Sequence, residues 1–282
     1  MTLDTPDDQN SAFWDEPCGI AFAGQRGYDI DLPAGLDAFD AGYFDFYPYL
    51  RSYLDRVLAD ATSVVEVGLG LGTISRYMAR HVERYVGIDV AGGPCRFVER
   101  SFSDRGLKGT LVTNSILEVQ TKDLGEPFDA AVAIGSLHHT GNLTKAVKRL
   151  EDLVKPGGEI LIMVYNEFEL RRILTRPHQA VGHAITRHTQ PNATWPELDE
   201  KIRAANDTDS KGRSAPFTNY STKTTWKTIS ERGVEYRVTR ENFRRIPVPG
   251  VRGGQIPRKW LLGLPARIVG TDLYVEGTIP AP

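Results

Sequence analysis

The segment whose residue types and spacing point most directly to chemistry is Glu66-Val67-Gly68-Leu69-Gly70-Leu71-Gly72. Alternating glycines let a backbone turn sharply and let a ligand approach it closely. The spacing is Gly-x-Gly-x-Gly. A dinucleotide-binding turn places its third glycine one residue later, where this chain has Thr73. Glu66 stands two residues before the first glycine. A carboxylate there does little for a pyrophosphate, but it suits a ligand that carries an ammonium or a sulfonium. Asp89 closes the run Val86-Gly87-Ile88-Asp89, about 20 residues beyond the loop, where an acid can accept both hydroxyls of a ribose. The two features together describe a nucleoside site with a cationic end.

A second constellation is Gly135-Ser136-Leu137-His138-His139-Thr140, which follows a predicted strand. Open α/β sheets bind ligands at the C-terminal ends of their strands. A histidine placed there can take a proton from a hydroxyl or an amine near neutral pH. Either histidine could instead brace the loop through backbone carbonyls, and neighbouring histidines rarely share one task. Tyr165 and Asn166 end the next strand and should border the same pocket. Tyr165 is thus a candidate for a substrate or catalytic contact, or for a core-covering aromatic. No carboxylate completes a two-histidine ligand set, so no metal is expected. His178, His183 and His188 are five residues apart and fit no single helical face, which suggests a solvated insert.

The elements that must position these residues follow from periodicity. Five short β-rich runs are Ser63 to Val67, Arg84 to Asp89, Thr110 to Thr113, Phe128 to Ile134 and Glu159 to Tyr165. Helical patterns separate them over Thr73 to His81, Gly93 to Arg105 and Leu143 to Leu153. Near-continuous apolar strands alternating with helices predict a parallel sheet covered on both faces. Lys155-Pro156-Gly157-Gly158 is a predicted turn. Later come a predicted helix, about Thr222 to Arg232, and strands at Glu235 to Val238 and Asp272 to Thr278. No clear crossover helix joins those two strands, so one of them should run antiparallel. Met1 to Asn10 is polar and has little to bury, and is expected to lack structure. Phe39 to Leu58 suggests a helix or two. Phe13, Trp14, Tyr43 and Tyr47 belong to an aromatic stretch that is either the core face of helices or a substrate box. The expected organisation is an N-terminal aromatic helical lid over 1–62, a cofactor-binding α/β core over 63–167, an insert or lid over 168–220, and completion of the sheet over 221–282.

The runs Glu66 to Asp89, Asn114-Ser115-Ile116, Phe128 to Thr140 and Lys155 to Gly158 resemble the class I S-adenosylmethionine-dependent methyltransferases. Within them the chain is most similar to the branch of ubiquinone- and menaquinone-biosynthesis enzymes and natural-product tailoring enzymes. The resemblance implies a Rossmann-like seven-stranded, mostly parallel sheet with an antiparallel last strand, and S-adenosyl-L-methionine as cofactor. It implies that Gly68, Gly70 and Gly72 face the cofactor's methionine and ribose, with Glu66 near the amino end and Asp89 on the ribose. Ser115 and Ile116 would meet the adenine; an aspartate is commoner at the position of Ser115. Gly135 and Leu137 would line the methionine side, and His138, His139 and Tyr165 would be the candidates for chemistry. The implied function is methylation of a small molecule, on oxygen or nitrogen of a natural-product or sugar-type metabolite. A carbon methyltransferase of a quinone- or prenyl-like acceptor, and a non-catalytic nucleoside-binding protein on the same fold, are the alternatives.

Composition narrows the partners. The chain has 282 residues, 40% hydrophobic and 25% charged, with a formal net charge of -2. No basic block offers the phosphate-neutralising field that nucleic acid needs. Cys18 and Cys95 show no metal-ligand spacing and are expected as two free thiols. An acidic N-terminus and the lack of an apolar run near the ~18 residues of a membrane span lead to the expectation of a cytoplasmic enzyme with a small-molecule acceptor.

Overall fold

The first strand of the sheet, Ser63–Val67 (β1), is buried along its whole length, as a β-branched run must be when both of its faces are covered. In the computed structural model it is the third of seven strands. The structure describes residues 5–175, 177–178, 181–182, 185–186, 207–243, 246–247 and 255–281. β2 (Arg84–Asp89), β3 (Thr110–Thr113), β4 (Phe128–Ile134) and β5 (Val154–Tyr165) run parallel to β1. Two late strands complete the sheet, β6 (Arg237–Glu241) and β9 (Asp272–Thr278); the short pair β7 (Ile246–Pro247) and β8 (Gln255–Ile256) stands apart. The order is β3-β2-β1-β4-β5-β9-β6. β9 is antiparallel to both of its neighbours, so it is the reversed strand of an otherwise parallel sheet.

The strand order turns at β1, with β2 and β3 on one side and β4 and β5 on the other. That reversal opens a crevice beyond the C-terminal ends of β1 and β4, the usual ligand position in such sheets. Ser136 Oγ donates to the Val67 carbonyl at 2.5 Å and ties the two strand tips together. The expected turn at Lys155 to Gly158 is a register shift inside β5: Phe128 pairs with Val154 and Ala130 with Glu159.

One face of the sheet is covered by α8 (Leu143–Asp152) and by Trp226, Ile229 and Val234. The other is covered by α4 (Leu50–Leu58), α5 (Thr73–Met78) and α6 (Gly92–Ser103). Tyr53 of α4 stacks on Tyr274 of β9, with ring centroids 4.5 Å apart. Together α3 (Pro33–Phe46) and α4 account for the spacing seen from Phe39 to Leu58. The free thiols Cys18 and Cys95 match their expectation.

Three expectations need correction. Part of Met1 to Asn10 is helical: α1 spans Pro6–Trp14. Thr5 and Asp8 form a reciprocal capping box, Pro6 enters the first turn, and the helix buries Asn10 and Phe13. The helix expected at Thr222 to Arg232 is a single 3₁₀ turn, Thr225–Lys227. There Thr222 and Thr225 exchange side-chain to backbone hydrogen bonds, which compete with a helix, and Trp226 is buried in the core. Finally, residues 215–222 are built into the strand tips. Asn219 N–H donates to the His138 carbonyl at 2.7 Å and Ser221 N–H to the Tyr165 carbonyl at 2.9 Å. His178 is exposed; His183 and His188 lie outside the described residues. No helix among the described residues is long and apolar enough to cross a membrane.

Candidate active site

A cavity of about 540 Å³ occupies the crevice at the strand tips. Small-molecule sites span roughly 300–1,000 Å³. Its floor is the β1 loop. Gly68, Gly70 and Gly72 have φ of 86°, 50° and 74°, a region that side chains rarely adopt. A Cβ on Gly68 would sit 2.3 Å from Ser136 Cβ, and one on Gly72 would sit 2.7 Å from a Val98 methyl. The protein's own close packing therefore demands glycine at 68 and 72, beyond any need of a ligand.

Glu66 and Asp89 flank this loop. Glu66 is buried, accepts a hydrogen bond from the Tyr85 hydroxyl, and its carboxyl is pushed up to about 7, mainly by burial. Asp89 accepts from Leu69 N–H at 2.8 Å through one oxygen and from Ala91 N–H at 3.0 Å through the other. Burial pushes its carboxyl up to about 6. A carboxylate offers about four acceptor positions, so Asp89 retains capacity for ligand hydroxyls. Asn114, Ser115 and Ile116 line the same end, where Ser115 Oγ accepts from Leu117 N–H at 3.2 Å.

At the other end Gly135, Ser136, His139 and Tyr165 reach the wall. The 3₁₀ turn Leu137–His139 sorts the adjacent histidines. His139 Nδ1–H donates to the Phe217 carbonyl at 2.7 Å, which places a proton on Nδ1, so that the neutral ring carries its lone pair on Nε2. Nε2 lies 3.8 Å from Asp207 Oδ2. Asp207 Oδ1 accepts from the Tyr165 hydroxyl at 2.9 Å. Burial and the Asp207 charge hold the Tyr165 phenol well above its usual range, so it remains a donor. Trp14 covers His139 with ring centroids 4.9 Å apart.

His138 and Leu137 are fully buried and sit behind the wall, outside the cavity. The His138 ring packs on His139 and Tyr165 at 4.1 and 4.3 Å. Neither ring nitrogen has a hydrogen-bond partner among the described residues, and burial, helped by His139, keeps it neutral. The N-terminal aromatics divide: Phe13, Trp14, Tyr43 and Tyr47 line the cavity, whereas Phe44 and Tyr53 are core. Sequence reasoning missed Asp207, which carries no local signature, and the cavity-lining role of Cys18 and Met163.

Comparison with known proteins places this architecture. Residues 65–160 match the family model described as a methyltransferase domain. This part of the chain is a class I S-adenosylmethionine-dependent methyltransferase domain. The ubiquinone biosynthesis O-methyltransferase of Dechloromonas aromatica is 28% identical over 123 residues, which are 43% of this chain and 53% of that protein. Its namesake from Escherichia fergusonii is 26% identical over 36% of this chain and 42% of its own length. The chain thus spans about half the length of these relatives. A solved O-methyltransferase family protein from Burkholderia thailandensis shares the fold, with a TM-score of 0.50 and 13% identity over 95% of this chain and 65% of that one.

The cavity of this methyltransferase domain fits its cofactor, S-adenosylmethionine, in donors and charge. Glu66 would meet the ammonium, Asp89 the ribose hydroxyls, and Ser115 and Ile116 the adenine. Among the described residues the wall carries no lysine or arginine to repel the sulfonium.

Proposed function

We propose that this protein transfers the methyl group of S-adenosylmethionine to a nucleophilic oxygen or nitrogen of a small-molecule acceptor, held beneath the N-terminal helices. The observation that carries this reading is the continuity of the cavity: one space is lined by Glu66, the glycine loop and Asp89 at one end, and by His139, Tyr165 and Asp207 at the other. Methyl transfer is an in-line displacement. The acceptor's lone pair forms a bond to the methyl carbon, the carbon–sulfur bond breaks, and its electron pair stays on sulfur as a neutral thioether.

The cofactor supplies the activated methyl and the leaving group. The protein has to align the acceptor, exclude water and accept a proton from a hydroxyl or ammonium acceptor. His139 Nε2 has the free lone pair for that proton, and Asp207 stands where it can steady the resulting imidazolium. Tyr165 positions Asp207 through its hydroxyl. His138, which cannot reach the cavity, packs behind His139. The curated relatives are O-methyltransferases of ubiquinone biosynthesis, which supports small-molecule methylation as the class.

Calorimetry tests the cofactor half: S-adenosylhomocysteine should bind in the micromolar range, roughly -8 kcal/mol, and NAD should not compete. Tight NAD binding with no heat from the adenosyl compound would overturn it. For the proton-accepting role, His139→Ala should cut turnover at least 100-fold, within the span of roughly 10²–10⁴ expected of a positioned base. Affinity for S-adenosylhomocysteine should change less than threefold, and an equal loss of both would make His139 part of the cofactor site.

A further inference from the structure

Beyond methyl transfer itself, the charges on the cavity wall bear on what enters it. Six carboxylates line the cavity, those of Asp7, Glu16, Glu66, Asp89, Asp207 and Asp209, and no lysine or arginine does so among the described residues. Glu66 and Asp89 belong to the cofactor end. Asp209 is paired with Arg213 at 2.6 Å. Glu16 accepts from Ser210 through its backbone N–H at 3.0 Å and its hydroxyl at 2.5 Å. Asp207 differs: its Oδ2 is buried and accepts no hydrogen bond from the described residues.

An independent feature faces that oxygen. The His139 side chain is 6% exposed, and its Nε2 has no hydrogen-bond partner among the described residues. The Phe217 carbonyl has already fixed the imidazole proton on Nδ1. With the ring neutral, two acceptors confront each other across 3.8 Å, too far apart for a hydrogen bond between them. A group that satisfies both must present at least two donors. An ammonium has them and adds a charge attracted to Asp207, whereas a hydroxyl has one. The surrounding wall suits a cation as well: Trp14 lies against His139, and Tyr43 and Tyr47 are on the same cavity surface.

We infer that the acceptor is an amine-bearing small molecule whose ammonium bridges Asp207 and His139 beneath Trp14, and that carboxylate- and phosphate-bearing acceptors are excluded. The inference rests on the methyl-transfer reading, because it assigns this end of the cavity to the acceptor.

The test uses the full chain loaded with S-adenosylhomocysteine and three probes of matched shape: 2-phenylethylamine, 2-phenylethanol and 3-phenylpropionate. Loading is measured first by calorimetry, so failure to bind the adenosyl compound counts against the methyltransferase reading. With loading established, the amine should bind at least tenfold tighter than either other probe. Asp207→Asn should abolish that preference while affinity for S-adenosylhomocysteine stays within threefold. Equal binding of all three probes, binding of none, or preference for the alcohol or the carboxylate would overturn the amine assignment and leave the cofactor site standing. Should Asp207→Asn fail to fold, the comparison of probes on the unaltered chain decides alone.

Discussion

Glu66 and Asp89 carry the cost of being buried carboxyls, and that cost predicts a pH dependence. Burial pushes Glu66 up to about 7 and Asp89 up to about 6. Both folded values exceed the ordinary ones, so between about pH 4 and 7 the folded chain binds more protons than the unfolded chain. The stability these two groups contribute is therefore full below their unfolded values and is lost as pH rises through the folded ones. A ligand that brings an ammonium to Glu66 and hydroxyls to Asp89 favours the ionised forms and expels protons. Tyr85, which donates to Glu66, and Arg76, whose charge lowers its pKa, act in the same direction. Affinity for S-adenosylhomocysteine should thus rise about tenfold between pH 5.5 and 8, equivalent to about 1.4 kcal/mol of preference for the ionised carboxylates. Calorimetry in buffers of different ionisation enthalpy should count the released protons, and Glu66→Gln should flatten the profile. A pH-independent affinity would place the ammonium elsewhere. His138 makes a contrasting case. Its fully buried ring fills space without hydrogen bonds to any described residue. His138→Ala should cost about 2–4 kcal/mol through the cavity it leaves. His138→Leu should recover most of that, because an apolar side chain has no ring nitrogen to leave unpaired. Urea unfolding of the two variants checks this, and equal losses in both would mean that the imidazole itself is needed.

Above the sheet, α3 is held through Asp40, which accepts from Thr73 and Arg76, and the segment after α1 has polar contacts of its own. Asp15 accepts from Gly93 N–H at 2.7 Å and from Arg96 at 3.3 Å, and Glu16 reaches Ser210. Cys18 follows directly and lies on the cavity wall, with its carbonyl 3.1 Å from where a Cβ on Gly70 would stand. The site thus contains its own reporter. Cys18 is exposed to the cavity, yet the protein packed around it and the Asp207 and Asp89 charges push its thiol up to about 12, so alkylation should be slow, and S-adenosylhomocysteine should slow it at least fivefold further. Cys95 is buried in the core and should stay unmodified. Mass spectrometry of the alkylated chain separates the two sites; ligand-independent labelling of Cys18 would put it outside the bound cofactor's reach. These helices also mark where the sequence stopped being legible. The strands declared themselves because β-branched runs such as Ser63–Val67 need burial on both faces, and α4 and α8 showed their apolar stripes. α1 gave no such pattern: it is polar, and a capping box and the contacts of Phe13 hold it. The threonines near Trp226 read as helical by spacing, but their hydroxyls hydrogen-bond the local backbone instead. The cofactor end was readable because the glycines and Asp89 lie in one short stretch of chain. Asp207 reaches its position from a distant segment, and only the 3₁₀ turn after β4 decides which of two adjacent histidines faces the cavity.

At the scale of the whole molecule, the two sides of the cavity differ in how they are held. The floor is the tips of β1 and β4, central strands paired on both edges and packed between helices. The roof is assembled from segments distant in sequence, residues 13–19 and 207–210, joined by the Glu16–Ser210 contact, and Trp14 rests on His139 of the turn after β4. Glu16 and Ser210 meet at an exposed position, where water competes for each hydrogen bond, so this junction opens at far lower cost than the sheet. Closure also has a chemical use, since water left around the sulfonium would weaken both alignment and electrostatics. Ligand binding should therefore shift the roof and spare the floor. In hydrogen exchange, peptides covering 10–19 and 207–215 should gain at least tenfold protection with saturating S-adenosylhomocysteine. Peptides covering β4 and β5 should change less than twofold. The helical part of α1 provides an internal control, because its first turn is capped by its own residues, Thr5 and Asp8. Its amides should respond progressively from the capped end toward Trp14. Equal protection of 207–215 in both states would mean that the roof is already closed in the free protein. Acceptor entry would then need another route, and Glu16→Ala, which removes the junction, should raise exchange of 207–215 in the free protein.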